Sequence, residues 1–206
     1  MNRKTFAALA LALSLPVLGA PALVSAQASS APSTVQAGTY AVETHHTLAE
    51  FTVNHFGFND FFGVIPGATG SLTINPANLA VTKLDVSLPV SGISTTNATL
   101  DGELTSADWF DAAKYPTIHF VAHKVTKTGE RTARIEGDVT MHGVTRPLTL
   151  DATFGGSGVN PMSKAFTIGF SATGTLKRSE FGVSKYVPFV SDEVRLKISA
   201  AFEKQA

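Results

Sequence analysis

From Tyr40 to Phe202 the chain alternates apolar and polar residues in run after run, and this period of two restricts the fold more than any other feature. Residues i, i+2 and i+4 share one face of a β-strand, whereas a helical face needs a spacing near 3.6. Ala49, Phe51, Val53 and His55 alternate with Glu50, Thr52 and Asn54, and Leu72 and Ile74 follow Gly70 on one phase with Ser71 and Thr73 between them. Leu84, Val86, Leu88 and Val90 continue the pattern, as do Ile118, Phe120 and Ala122, then Ile135, Val139 and Met141, then Leu148, Leu150, Ala152 and Phe154. The last two runs carry Phe166, Ile168, Phe170, Ala172, Gly174 and Leu176, and then Val194, Leu196, Ile198, Ala200 and Phe202. With turn signals such as INPAN, KTGER and GGSGVNP between them, these make about eight antiparallel strands, the count of a sandwich or a closed barrel. No internal repeat of fixed period is present.

The chain has no cysteine, so the domain must be stable on its core alone. That matters because the first residues read as an export signal: Arg3 and Lys4 precede the apolar run FAALALALSLPVLG, and Val24-Ser25-Ala26 supplies the small residues of a cleavage site. Residues 1–26 are therefore expected to be a signal peptide, which places the mature protein in the periplasm. Residues 27–38, small and polar without periodicity, are expected to be a disordered leader, and residues 39–204 a single β-barrel domain. Losing Arg3 and Lys4 takes the 16 basic and 16 acidic side chains to 14 against 16, a net charge of −2. That balance argues against a nucleic-acid partner.

One interval lacks alternation. In LDGELTSADWFDAAKYP, Leu100 to Pro116, Ser106 is expected to cap a short helix with Asp108 in its first turn and Trp109, Phe110 and Ala113 on one side. Such an insertion between barrel strands would form a lid or plug. Phe51, Phe120, Phe154, Phe166 and Phe170 could line a tube, and Ala49, Gly70, Ala122, Gly137, Ala172 and Gly174 could leave it hollow, although each glycine could instead mark a bulge.

Polar residues on the inward phase are few. His55 follows Phe51 and Val53 and would meet a ligand head group or a structural carbonyl. Arg178 continues the face of Phe170 and Leu176, and a solid core would make its charge costly, so it is expected at a wet rim. There its fork would read a head group, oriented by Glu180, Asp192 or Glu193, or would close the barrel through a salt bridge. The other histidines do not suggest a metal site: His45 and His46 are adjacent, and His119 and His123 share an outward face. No nucleophile elbow, cysteine nucleophile or phosphate loop is present, and the chain is not expected to be an enzyme.

Four ordered blocks carry a resemblance. YAVETHHTLAEFTVNHFGF, with His46 and His55, LTSADWFDAAKYPTIHF, GDVTMHGVTRPLTL, and LKRSEFG followed by SDEVRLKI resemble the YceI family of exported, lipocalin-like polyisoprenoid-binding proteins. The resemblance covers Tyr40 to Glu203 and departs at Glu103, where the family often has histidine, and at Ile65, where an aromatic is common. It implies an all-β fold, an extended antiparallel barrel of about eight strands with a short helical insertion, that holds a polyisoprenoid such as an isoprenoid quinone or a polyprenyl phosphate. It implies no catalytic activity and no required cofactor beyond the bound lipid. Phe51, Val53, His55, Trp109, Phe120, Phe154, Phe166, Ile168, Phe170 and Arg178 are the expected ligand-binding residues. The expected partners are the lipid or quinone itself and, transiently, a membrane or a membrane redox protein, with a dimer as the candidate assembly. The alternative function is a ligand-free, stress-related structural or interaction protein of the same fold.

Overall fold

The computed structural model describes residues 28–205, and the expected signal peptide lies outside the described residues. In chain order the strands are β1 (Gly38–Val42), β2 (Leu48–His55), β3 (Asn59–Pro66), β4 (Thr69–Ile74), β5 (Lys83–Pro89), β6 (Thr117–Lys127), β7 (Thr132–Met141), β8 (Val144–Val159), β9 (Phe166–Lys177) and β10 (Glu193–Lys204). Among the described residues there is one α-helix, α1 (Ala98–Thr105), between β5 and β6. Every strand pair is antiparallel, and the order β1-β4-β5-β6-β7-β8-β9-β10 returns to β1, a closed ring of eight. β2 and β3 lengthen the wall: β10 pairs with β1 through Val42 and Phe202 and then with β2 through Leu48 and Ser199. The alternation over residues 40 to 55 therefore reads one strand path that the structure interrupts.

The interruption is stitched by side chains. Between β1 and β2 the Thr47 hydroxyl donates to the Ala201 carbonyl at 3.2 Å and accepts from the Ala201 amide at 2.9 Å, replacing ladder bonds that the excursion breaks. His45 and His46 sit in this excursion, where the Glu43 carboxylate accepts from both backbone amides and meets His46 Nδ1 at 2.7 Å. Burial raises the Glu43 pKa, but these hydrogen bonds outweigh it and leave the carboxyl below its ordinary range. The β7–β8 turn is tight. Met141 pairs with Val144 across His142-Gly143, both left-handed at φ 52° and 75°, the two-residue turn whose twist matches a hairpin.

The meander gives the barrel two distinct ends. Residues 56–58, 90–116, 142–143 and 178–192 connect strands at one end, and residues 75–82, 128–131 and 160–165 connect them at the other, which also receives residues 28–37. The second end is packed by Val35, Tyr40, Leu72, Phe154, Ile168 and Phe202. The first is covered by Val90, Ile93, Leu104 and Trp109 of the β5–β6 connection, which pack with Ile65 of β3 and Val183.

Two expectations are corrected. Residues 28–37, expected as a disordered leader, lie against the barrel: Ser29 pairs with Ser157, Pro32–Thr34 form one 3-10 turn, and Val35 is buried in the core. Val35, the one branched aliphatic residue of this stretch, supplies the anchor that its small, polar composition conceals. The helix also precedes its expected position. Asn97 caps it by accepting from the amides of Thr99 and Leu100, and Asp101 in its first turn accepts from the Thr95 amide and hydroxyl, each at 2.6 Å. Ser106 ends the helix, its hydroxyl donating back to the Glu103 carbonyl at 2.6 Å. Trp109 and Phe110 follow in turns, and Asp111 at φ 46° is incompatible with helix continuation.

Candidate ligand cavity

The ring of strands is hollow. Its interior holds a cavity of about 1110 Å³, above the span of about 300–1,000 Å³ typical of small-molecule sites. The inward phase read from the sequence makes the wall: Phe51 and Val53 of β2, Val86 of β5, Phe120 of β6, Phe170 of β9 and Ile198 of β10 all face it. These side chains are only partly buried although they point inward, because they border empty space where a filled barrel would place neighbours. The polar lining is confined to the ends, with Thr95, Asn97, Glu103 and His55 at the end under α1, and Lys127, Glu130 and Arg131 at the other.

Of the ten expected ligand-binding residues, Phe51, Val53, His55, Trp109, Phe120, Phe154, Phe170 and Arg178 line the cavity. Phe166 and Ile168 do not. Ile168 pairs with Phe202 and is fully buried among Tyr40, Val35 and Phe202, so this stretch of β9 belongs to the packed end. The pattern marks the inward face but not the depth at which the tube becomes solid. His55 is exposed at the opening, its ring edge-on to Phe56 at 4.6 Å. Tyr186, from a loop with no periodic signal, joins the wall unannounced by the sequence.

Of the two parts expected of the glycines, hollowing the tube or marking bulges, Gly137 takes the second: it pairs with Ala122 where the β6–β7 register shifts before Lys124. Gly70, Ala122, Gly137 and Gly174 are absent from the lining, while Ala49 and Ala172 contribute to it. A Cβ on Gly137 would lie 2.7 Å from the Phe120 ring and closer still to the Val121 carbonyl oxygen. The missing side chain therefore seats a neighbouring aromatic and does not hollow the tube.

Arg178 requires the largest correction. It is 4% exposed, not at a wet rim, and it begins the 3-10 turn Arg178–Phe181. Its guanidinium donates from Nε to the Ser191 carbonyl at 2.9 Å, from one Nη to the carbonyls of Val183 and Lys185 at 2.9 Å each, and from the other to Val190 at 2.8 Å. The ring of Trp109 lies 5.6 Å below it. Four of the five guanidinium donors are thus committed to the loop that closes the barrel, which is why the charge can be buried without a carboxylate contact. Burial pushes the guanidinium pKa below its usual value against the opposing pull of Asp192. Asp192 itself accepts from the Ser179 amide at 2.8 Å and hydroxyl at 2.7 Å. Burial raises its pKa, and those bonds together with Arg178 lower it further than burial lifts it.

Trp109 packs among the residues of the cap with the Tyr186 ring 6.0 Å away, and its Nε1 is buried with no hydrogen-bond partner. Three further histidines are committed elsewhere: His119 meets Asp85 at 2.8 Å, His123 meets Asp138 at 2.7 Å, and His142 Nδ1 in the β7–β8 turn meets the Phe181 carbonyl at 2.9 Å. Among the described residues no group of three or more histidine, aspartate or glutamate side chains converges as a metal site.

Comparison with known proteins bears on this geometry. Residues 40–202 match the family model described as a YceI-like domain. A UPF0312 protein of Pseudomonas putida strain GB-1 is 36% identical over 183 residues, covering 89% of this chain and 88% of its own. The crystal structure of a Campylobacter jejuni YceI protein superposes with a TM-score of 0.65 at 31% identity, over 74% of this chain and 90% of that one. A polyisoprenoid-binding domain from Saccharophagus degradans shares the fold, with a TM-score of 0.62 at 11% identity over 81% of this chain and 98% of that one.

Proposed function

The chain belongs to the YceI family, and from that membership and its hollow barrel we propose that it is an exported carrier or store for a polyisoprenoid lipid held in the cavity. The carrying observation is the cavity of about 1110 Å³ whose middle is walled by aliphatic and phenylalanine side chains. Each methylene moved from water into such a wall contributes ~0.8 kcal/mol, so a few isoprene units supply on the order of 10 kcal/mol before immobilisation costs. The tail then provides affinity, and the head group and tube length provide selectivity.

The lining supports binding over catalysis, since it assembles no nucleophile, base and oxyanion donors at one point. It also favours an uncharged head such as a quinone over a polyprenyl phosphate at the capped end, because the Arg178 donors there already serve backbone carbonyls. Export to the periplasm is part of the proposal and rests on the sequence of residues 1–26. Organic extraction and mass spectrometry of protein purified from its native compartment test the function. A stoichiometric isoprenoid is the expected result, and its repeated absence would leave the ligand-free reading in its place. With the isoprenoid in hand, affinity that falls steeply as salt rises would identify a charged head, and flat affinity an uncharged one.

A further inference from the structure

Among the described residues, the large apolar side chains exposed to solvent divide sharply between the two ends. Phe56, Phe58, Phe62, Tyr186 and Phe189, exposed by 46%, 87%, 62%, 51% and 65%, all belong to the β2–β3 hairpin and the loop between β9 and β10. Val81, Val159 and Met162, at the other end, include no aromatic ring. The two segments that carry these five aromatic residues are joined. The Phe56 amide donates to the Phe189 carbonyl at 2.7 Å, the Ser191 amide to Asn54 at 2.9 Å, and the rings of Phe56 and Phe189 stack at 6.0 Å with 17° between their planes.

Two features tie this surface to the cavity. Phe56 and Tyr186 are half exposed and also line it, so part of the apolar wall continues outward onto the rim, beside the polar residues of that end. Both residues are left-handed, at φ 55° and 64°, a conformation costly for an aromatic residue and not compensated here by full burial. The charges beside the rim are paired, Asp60 with Arg195 and Lys185 with Asp108 and the more distant Glu103, an excess of one negative charge, so the patch offers apolar attraction and no basic field for anionic lipid. Separate rings projecting from loop tips suit the headgroup boundary of a bilayer, where aromatic side chains concentrate.

We propose that this aromatic rim docks the capped end of the barrel on a lipid bilayer surface, so that a polyisoprenoid passes between membrane and cavity without crossing water. The inference rests on reading the cavity as a polyisoprenoid site. It adds the partner surface and the face by which it is reached.

The test uses phosphatidylcholine vesicles with and without a prenylquinone, and a Phe58→Ser/Phe189→Ser variant, since neither residue lines the cavity. Wild-type protein is expected to float with the vesicles equally from about 0.05 to about 0.5 M salt. The variant should lose roughly tenfold or more in vesicle partitioning and extract prenylquinone from vesicles correspondingly more slowly. Its equilibrium binding of prenylquinone added from a dispersed solution should be unchanged. Wild-type protein that fails to float, a variant that floats equally, or flotation that requires anionic lipid and vanishes with salt would each overturn the proposal. So would concentration-dependent dimerisation abolished by the variant without flotation, which would assign the rim to a second copy. Flotation without prenylquinone binding would leave docking standing and remove the cargo reading instead.

Discussion

Arg178 is reached correctly by counting along β9, yet its environment is set by residues five to thirteen positions later, whose carbonyls turn back over it. Replacing it with methionine keeps the stem but strands buried acceptors, and each unsatisfied group costs ~1–3 kcal/mol. Arg178→Met should therefore lower unfolding free energy by about 2–4 kcal/mol in urea titration, with Arg178→Lys recovering little because one ammonium cannot span the fork. Any loss of ligand affinity should be equal for a complete isoprenoid and for its bare hydrocarbon tail, since four of the guanidinium donors already serve the loop carbonyls. Asp192 gives the same loop a pH signature. Its folded pKa lies below the unfolded one, so its contribution is complete above the ordinary carboxylate range and disappears as pH falls through the lower, folded value. Denaturation midpoints compared from about pH 5 to about pH 2 should show a steeper acid loss in wild type than in Asp192→Asn, which lacks that contribution at every pH.

At the scale of the element, two glycines separate close approach from plain permissiveness. Gly137 in β7 faces a carbonyl and a ring within van der Waals distance, so Gly137→Ala should destabilise by about 1–3 kcal/mol through overpacking. Gly102 in α1 has nothing within 4 Å of an added Cβ, and Gly102→Ala should stabilise by about 0.5–1 kcal/mol by restricting the unfolded chain. Thermal melts of the two variants check both signs. The strands were legible because alternation is a local property and a one-residue slip would expose a whole face. Phe51, Phe120, Phe154 and Phe170 consequently fall on the cavity wall where their phase puts them. The helix was displaced because Ser106 and Asn97 are both good cap residues, and the choice between them depends on Asp101 meeting Thr95, a contact between side chain and loop that no periodicity records. The rim aromatics Phe56 and Tyr186 were illegible for the same reason: their positions come from left-handed turns and from pairing between distant loops.

For the molecule as a whole, hollowness is the property to challenge. Ala172 faces the cavity from β9 and is only partly buried, so a larger side chain there has space to enter. Ala172→Phe should leave the melting temperature close to wild type while reducing extractable isoprenoid by about tenfold or more, because the tube is blocked part-way along its length. A fall in melting temperature of many degrees would mean that the interior is already full. The manner in which the ring closes has a separate consequence. β10 pairs on one edge with β9 and on the other with both β1 and β2, so the ring closes only through the last strand. At about 5–20 residues per second, a ribosome needs on the order of 10–40 s to make all 206 residues. For nearly that whole interval the emerging chain has no closed form available to it. Loss of the C-terminal segment Glu193–Lys204 would yield no smaller barrel, but a curled sheet with bare edges at β1 and β9 and a β2–β3 hairpin without its sheet partner, each edge a template for aggregation.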